Sequence, residues 1–180
     1  MLNFNTKELT AIALSASIWA VINSILGPAF WNLTHLPILC DMLGVATLSL
    51  TIWWVRKPGA SAIVGIIATI ISFIMNPGGM TFLGFTGATF VFEAMVMLIG
   101  HKRLLDNGFT GWGLLLLASI AATATAGVII GTFFMNPNFL AVTFGGLMVF
   151  SGIHAMGGVI GSVLGALVIK ALKTRNIYPI

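Results

Sequence analysis

The stretch "TFLGFTGATFVFEAMVMLIG", Thr81–Gly100, decides the fold class, because it is 20 residues long and contains one charged side chain, Glu93. A helix rises about 1.5 Å per residue, so about 20 apolar residues are needed to cross the hydrocarbon core of a bilayer. The stretch therefore predicts a membrane-spanning helix. It also raises the question of what a carboxylate does inside one.

The composition of the whole chain points to the same class of protein. Of its 180 residues, 58% are hydrophobic and 7% are charged, and the mean hydropathy is +1.08. A soluble domain carries about 25% charged residues. The net charge of +4 does not indicate a nucleic-acid partner, because the basic residues are spread through short connections. The single cysteine, Cys40, has no partner for a disulfide or a metal site. We expect an integral membrane protein with no metal and no cofactor.

Further apolar runs predict an all-α membrane protein, a single domain over residues 1–180 with six transmembrane helices. The predicted spans are Leu9–Leu26, Pro37–Val55, Ala60–Met75, Thr81–Gly100, Gly113–Phe134 and Gly152–Leu172. We expect the first to be a retained helix rather than a cleaved signal, because it is long enough to span and more spans follow. Asn138–Leu172 is too long for one crossing, so its first part is predicted to lie along the outer interface or to fold back into the protein.

The distribution of basic residues predicts the orientation. The opposite connections, "GPAFWNLTHL", "MNPGG" and "MNPNF", contain no Lys or Arg. In a six-span arrangement all the basic residues fall on one side, namely Lys7, Arg56, Lys57, Lys102, Arg103, Lys170, Lys173 and Arg175. Cytoplasmic loops carry an excess of Lys and Arg. We therefore expect a multi-pass protein of the cell membrane with both termini in the cytoplasm.

Small residues recur at four-residue spacing on two of the predicted helices. They are Ala13 with Ser17 and Ala16 with Ala20 on the first, and Gly157, Gly161 and Gly165 on the last. In lipid, such residues let helices approach closely. We interpret the glycines as an internal packing surface. The pattern leaves open whether the stripe on the first helix packs internally or is an external docking surface.

Ionisable residues within the spans are candidates for function, because each costs about 2.5–3.5 kcal/mol at a helix centre on insertion scales. Counting about 1.5 Å per residue places Asp41 and His154 roughly 22–24 Å above the inner edge, and Glu93 about 12 Å above it. These heights allow one cavity open to the outside, with Glu93 at its floor. Since the chain has no basic residue at that depth, we expect Glu93 to be paired with a proton, with His154 or with a cationic or amine-bearing ligand.

Other polar and aromatic residues lie near the outer side. The candidate substrate-binding residues are Glu93, Asp41, His154, His35, Trp31, Asn76 and Asn136. Several have plainer interpretations, because an aromatic belt, a solvated loop, a packing histidine and helix caps would use the same residue types. The sequence lacks a Gly-rich phosphate loop, an HExxH motif and a cysteine cluster. We therefore do not expect an enzyme, and any transport energy would come from an ion gradient or a partner.

One part of the chain resembles a known family. "VRKPGASAIVGIIATIISFIMNPGGM" (Val55–Met80), followed by a "FEAMVMLIG" helix that ends in a basic residue, is similar to the thiamine-precursor (hydroxymethylpyrimidine/thiamine) permease branch of the substrate-binding S components of energy-coupling factor (ECF) transporters. The number of predicted spans, the length and the stripe on the first helix agree with that family. The resemblance implies a compact S-component bundle.

The resemblance also implies a function. S components capture a vitamin or precursor from outside and associate with a membrane coupling subunit and two ATPase subunits. The family's AxxxA pattern docks on the coupling subunit and maps onto Ala16 and Ala20, with Ala13 and Ser17 beside them. In thiamine-type members a carboxylate on the fourth helix meets the ligand's aminopyrimidine or positive charge, and Glu93 lies on the matching helix.

Three functions stay open on this basis. The first is the substrate-binding subunit just described. The second is a structural or accessory subunit of a membrane complex, in which the polar groups only hold helices together. The third is a stand-alone proton-coupled carrier with Glu93 as its proton site.

Overall fold

A computed structural model of the protein describes residues 4–106 and 108–180, and every regular element in those ranges is a helix. The helices are α1 (Thr6–Thr34), α2 (Ile38–Val55), α3 (Ala60–Met75), α4 (Phe82–Ile99), α5 (His101–Asp106), α6 (Gly108–Phe133), α7 (Pro137–Phe144) and α8 (Leu147–Thr174). Within these ranges, five helices are long and apolar enough to cross a membrane, namely α1, α2, α4, α6 and α8. The predicted all-α membrane class is confirmed. The sixth predicted span, α3, is an apolar helix of 16 residues.

The outer surface of the bundle is apolar. Large exposed hydrophobic side chains include Leu14 and Ile18 on α1, Ile70 on α3, and Val163 and Leu167 on α8. A contiguous apolar exterior of this kind suits lipid rather than water as the surrounding solvent.

Helix α8 packs between α2 and α6, and its glycines bring the backbones together. A Cβ atom added at Gly161 would lie 2.6 Å from the carbonyl oxygen of Met42 on α2. A Cβ atom at Gly165 would lie 2.7 Å from Cβ of Ser49. These distances are too short for any side chain, so the predicted internal packing of the last-helix glycines is confirmed.

Helix α1 is longer than predicted. The predicted span ended at Leu26, whereas the helix continues through Pro28 to Thr34. A proline has no N–H to donate to the carbonyl group four residues earlier, which usually breaks the helix. Here Nδ2 of Asn76 donates to the Ser24 carbonyl oxygen, which lacks a helical donor, at 3.4 Å. A side chain from another part of the chain therefore supplies the missing donor.

The predicted bounds of α3, Ala60–Met75, are confirmed, whereas two other helices begin five residues earlier than predicted. Helix α6 begins at Gly108 rather than Gly113, and α8 begins at Leu147 rather than Gly152. The segment between them contains α7, whose buried Leu140 and Phe144 pack against Phe150. Helix α7 therefore packs back onto the protein, as one of the two predicted arrangements has it.

The small-residue stripe on α1 divides between the interior and the surface. Ala16 and Ala20 are completely buried within the main core, where α1 packs against α2 and α3. Ala13 is exposed and Ser17 is half-buried. The coupling-subunit contact that the resemblance implied for Ala16 and Ala20 is therefore not accessible in this structure, because the chain's own helices cover both methyl groups.

Ion pairs connect several helix termini at one end of the bundle. This end, which contains Arg56, Lys57 and Lys173, is called the basic end. Nζ of Lys57 lies 2.7 Å from Oε2 of Glu8, at the start of α1. The Arg56 guanidinium donates to both carboxylate oxygens of Asp106 at 2.8 and 2.9 Å, and Lys173 lies 3.7 Å from the same carboxylate. Arg56 and Lys57 of the α2–α3 turn and Lys173 of α8 thus lie at one end of the bundle.

The Arg56–Asp106 pair predicts a small effect of pH on stability. The hydrogen bonds from Arg56 hold the pKa of Asp106 below its usual range. A carboxyl whose pKa is lower in the folded state stabilises the protein above its unfolded pKa of about 3.9, and this stabilisation is lost as the pH falls through the folded-state pKa. Because the pair is solvent-accessible, we expect Asp106→Asn to cost about 0.5 kcal/mol at neutral pH. Thermal unfolding should show this difference shrinking in acid. An equal difference at neutral and strongly acidic pH would contradict the assignment.

Candidate substrate-binding site

A cavity of about 810 Å³ lies at the end of the bundle opposite the basic end. It is enclosed by the C-terminal parts of α1, α3 and α6, the N-terminal parts of α2, α4 and α8, and the short helix α7. Sites for small organic molecules usually measure about 300–1,000 Å³. The cavity is therefore large enough to hold a molecule of vitamin size.

Aromatic side chains form much of the cavity wall. They are Phe30, Trp31, Phe82, Phe85, Phe134, Phe139 and Phe150. The ring of Phe85 is stacked on the buried indole of Trp19, with centroids 3.6 Å apart and planes 9° from parallel. Nε1 of Trp19 in turn donates to the carbonyl oxygen of Cys40 at 3.4 Å. The Phe85 ring is thus held in place in the wall of the cavity.

A buried acid–base pair lies on the same cavity. Nδ1 of His154 is 2.7 Å from Oδ2 of Asp41, and the two residues are 2% and 6% exposed. Neither atom has a well-oriented hydrogen bond within the described residues, and Nε2 of His154 also has no partner there. Gly157 makes the approach possible, because a Cβ atom there would lie 2.6 Å from Cβ of Asp41. Close packing of α2 and α8 therefore creates the pair.

Asn23 on α1 is a third polar residue of the cavity, and sequence analysis missed it. Its side chain is 3% exposed. Its Oδ1 has no hydrogen-bond partner in the described part of the chain. An unsatisfied buried acceptor costs about 1–3 kcal/mol unless a ligand or water supplies a donor. The available signal was a carboxamide side chain within the first predicted span, one turn before Gly27.

Of the other predicted substrate-binding residues at the cavity end of the bundle, three line the cavity and one does not. Trp31, Asn76 and Asn136 line the cavity. Asn76 also donates to α1 as described above, and Oδ1 of Asn136 caps α7 by accepting from the amides of Asn138 and Phe139 at 2.9 and 3.3 Å. His35 is exposed at the end of α1 beside Trp31, with ring centroids 5.9 Å apart, and is not among the lining residues.

Glu93 lies outside the cavity, near the basic end. Its carboxylate accepts hydrogen bonds from the amide of Gly59 at 2.7 Å, from the amide of Ser61 at 3.0 Å, and from the Ser61 hydroxyl. These amides begin α3, where N–H groups lack partners inside the helix and the helix dipole favours negative charge. The predicted position of Glu93 at the cavity floor and its predicted pairing with His154 or a ligand are therefore corrected, because the Gly59 and Ser61 amides and the Ser61 hydroxyl donate to this carboxyl group.

The electrostatic character of the cavity follows from this arrangement. Among the described lining residues, Asp41 is the acidic side chain and His154 is the basic one, and none is Lys or Arg. Asn23 and Asp41 present acceptor oxygens, while His154 presents an imidazole that can donate or accept. Such a set can bind and orient an aromatic ring that carries hydrogen-bond donors.

Comparison with known proteins adds one finding about the fold. No family model matches the chain, and no curated protein matches it. A solved structure described as the crystal structure of an S-component of an ECF transporter matches it with a TM-score of 0.67 and 17% sequence identity. The match covers 97% of this chain and 88% of that one. Over nearly its whole length, the chain therefore has the fold of an ECF transporter S component.

Proposed function

We propose that this chain is the substrate-binding membrane subunit of an ECF-type importer and not an enzyme. It captures a small vitamin or vitamin precursor of the thiamine or hydroxymethylpyrimidine kind from outside. A membrane coupling subunit and two ATPase subunits then drive its delivery. The observation that carries the proposal is the cavity, whose size, aromatic wall and buried polar groups suit a small ring, in a chain with an S-component fold.

The proposed substrate contacts come from three helices. Asp41, His154 and Asn23 provide the polar contacts, because each is buried, lines the cavity and has an atom without a well-oriented hydrogen bond. Phe85 provides a fixed aromatic side chain in the wall. Trp31, Asn76 and Asn136 complete the wall. Glu93 and His35 have no place in this proposal, because both lie outside the cavity.

The orientation and the docking face are also proposed. The basic end would face the cytoplasm and the cavity would face outside, which the one-sided distribution of Lys and Arg supports. The coupling subunit would contact the surface side of α1, where Ala13 is exposed and Ser17 is half-buried. Small residues there allow a partner helix to approach closely.

Co-purification tests this function. Tagged protein isolated from its native membranes is expected to bring down an ATPase activity, and Ala13→Trp is expected to reduce the recovered activity several-fold. Ile160→Trp is a matched control, because Ile160 is 40% exposed on α8, a different helix. Absence of ATPase activity from the purified material would contradict the proposal. So would accumulation of thiamine by liposomes that contain this chain alone, which would instead support a stand-alone carrier.

A further inference from the structure

The Asp41–His154 pair is a charge-balanced unit in a buried site. With one proton on the pair, the net charge is zero whether the groups are a carboxylate and an imidazolium or a carboxylic acid and an imidazole. Both side chains are at least nine-tenths buried, and Nδ1 lies 2.7 Å from Oδ2. A buried site favours this balance, because an uncompensated charge away from water is costly.

The surroundings of the pair contain little that could compensate a further charge. On α2 the adjacent Cys40 thiol is the other titratable group lining the cavity. The lining residues contributed by α1, α3, α4, α6 and α7 include no Asp, Glu, Lys, Arg or His in the part of the chain that the structure describes. Against the other side of the pair, α6 presents Gly127 to the His154 ring. The net charge of the site therefore depends on the pair itself and on what binds beside it.

We propose that the cavity binds a monovalent organic cation in exchange for the proton of the Asp41–His154 pair. The proposal rests on the function proposed above and specifies the charge class of its substrate. A bound cation would bring the site to a net charge of +1. Loss of the proton to water restores a net charge of zero and leaves the Asp41 carboxylate facing the cation beside a neutral His154 imidazole. An uncharged ligand of the same shape leaves the proton in place.

This exchange has a thermodynamic consequence. When binding releases one proton, the observed affinity falls about tenfold for each unit that the pH is lowered, wherever the unliganded pair holds its proton. The uncharged ligand shows no such slope, so charge rather than shape is the variable that the experiment must change.

Isothermal titration calorimetry with two matched probes tests the exchange. Thiamine carries a permanent thiazolium charge, and its thiophene isostere has the same shape without that charge. In nanodiscs, from about pH 5.5 to about pH 8 and in buffers of different ionisation enthalpy, thiamine is expected to release about one proton per molecule bound. Its Kd should rise about tenfold per unit fall in pH, and the isostere should show neither effect. His154→Gln is expected to flatten the slope, while Asp106→Asn, a carboxylate lost at the basic end, should keep it.

Several results would overturn the inference. They are a thiamine Kd that does not change with pH, a heat of binding that does not depend on the buffer, equal proton release by the isostere, and failure of thiamine to bind. The wild-type protein alone decides these outcomes, so they do not depend on whether a variant folds. ATPase co-purification is measured separately, and its success alongside any of these results would retain the importer subunit and reject the proton exchange.

Discussion

Glu93→Gln is expected to lower the free energy of unfolding by about 2–3 kcal/mol and to leave the affinity of the cavity for its ligand unchanged. One carboxylate oxygen accepts from Gly59 and the other accepts from Ser61. A glutamine keeps one acceptor oxygen but turns an NH₂ group toward an amide or hydroxyl donor. Because the site is 5% exposed, water cannot readily replace the lost bond.

Unfolding of the detergent-solubilised protein by denaturant or heat measures this effect. Asp41→Asn is the comparison variant, since it makes the same chemical change at a carboxylate that lines the cavity. We expect Glu93→Gln to affect stability and Asp41→Asn to affect ligand binding. A Glu93→Gln protein of normal stability with weakened binding would contradict the position that the structure gives this residue.

Gly161→Ala is expected to destabilise the protein by about 1–3 kcal/mol, because overpacking forces backbones apart. The new methyl group would lie 2.6 Å from the Met42 carbonyl oxygen and 3.0 Å from the Met42 Cα. These are backbone atoms of α2, so no side-chain rotation can make room. The two helices would have to separate along the surface that also places Asp41 beside His154.

Gly152→Ala is the matched control on the same helix. A Cβ atom at Gly152 meets nothing within 4 Å in the described structure. Alanine is favoured over glycine in a helix interior by about 0.8–1.0 kcal/mol, so this variant is expected to be as stable as the wild type or slightly more stable. Equal losses of stability in the two variants would show that α2 and α8 are not packed as the structure has them.

The sequence predicted those parts of the membrane fold that depend on a local pattern of residues. Long apolar runs predicted the main helices, and the spacing of Gly157, Gly161 and Gly165 predicted the close contact of the last helix. Sequence failed at Pro28, which is normally a helix end. The helix nevertheless continues, and Asn76, 52 residues beyond Ser24 in the chain, donates to the Ser24 carbonyl group that the proline leaves free; no local pattern shows this contact.

Glu93 illustrates why the candidate site was harder to predict. Residue counting gave Glu93 a height in the membrane, and its expected partners were a proton, another side chain or a ligand. The free amides at the start of α3, which a helix N-terminus always presents, were not among those partners. These amides and Glu93 meet because the α2–α3 turn and the end of α4 share the basic end of the bundle. The aromatic wall was missed for a related reason, since its residues are dispersed from Phe30 to Phe150.

Native mass spectrometry of the gently purified protein tests the central claim most directly, namely that the cavity holds a small-molecule substrate. The account predicts one bound non-lipid molecule of vitamin size per chain. It also predicts that Asp41→Asn loses this molecule, while Asp106→Asn, the same change at the basic end, retains it. A chain that carries no such molecule and binds neither thiamine nor hydroxymethylpyrimidine when these are added would contradict the account. Equal retention by the two variants would contradict the location of the site.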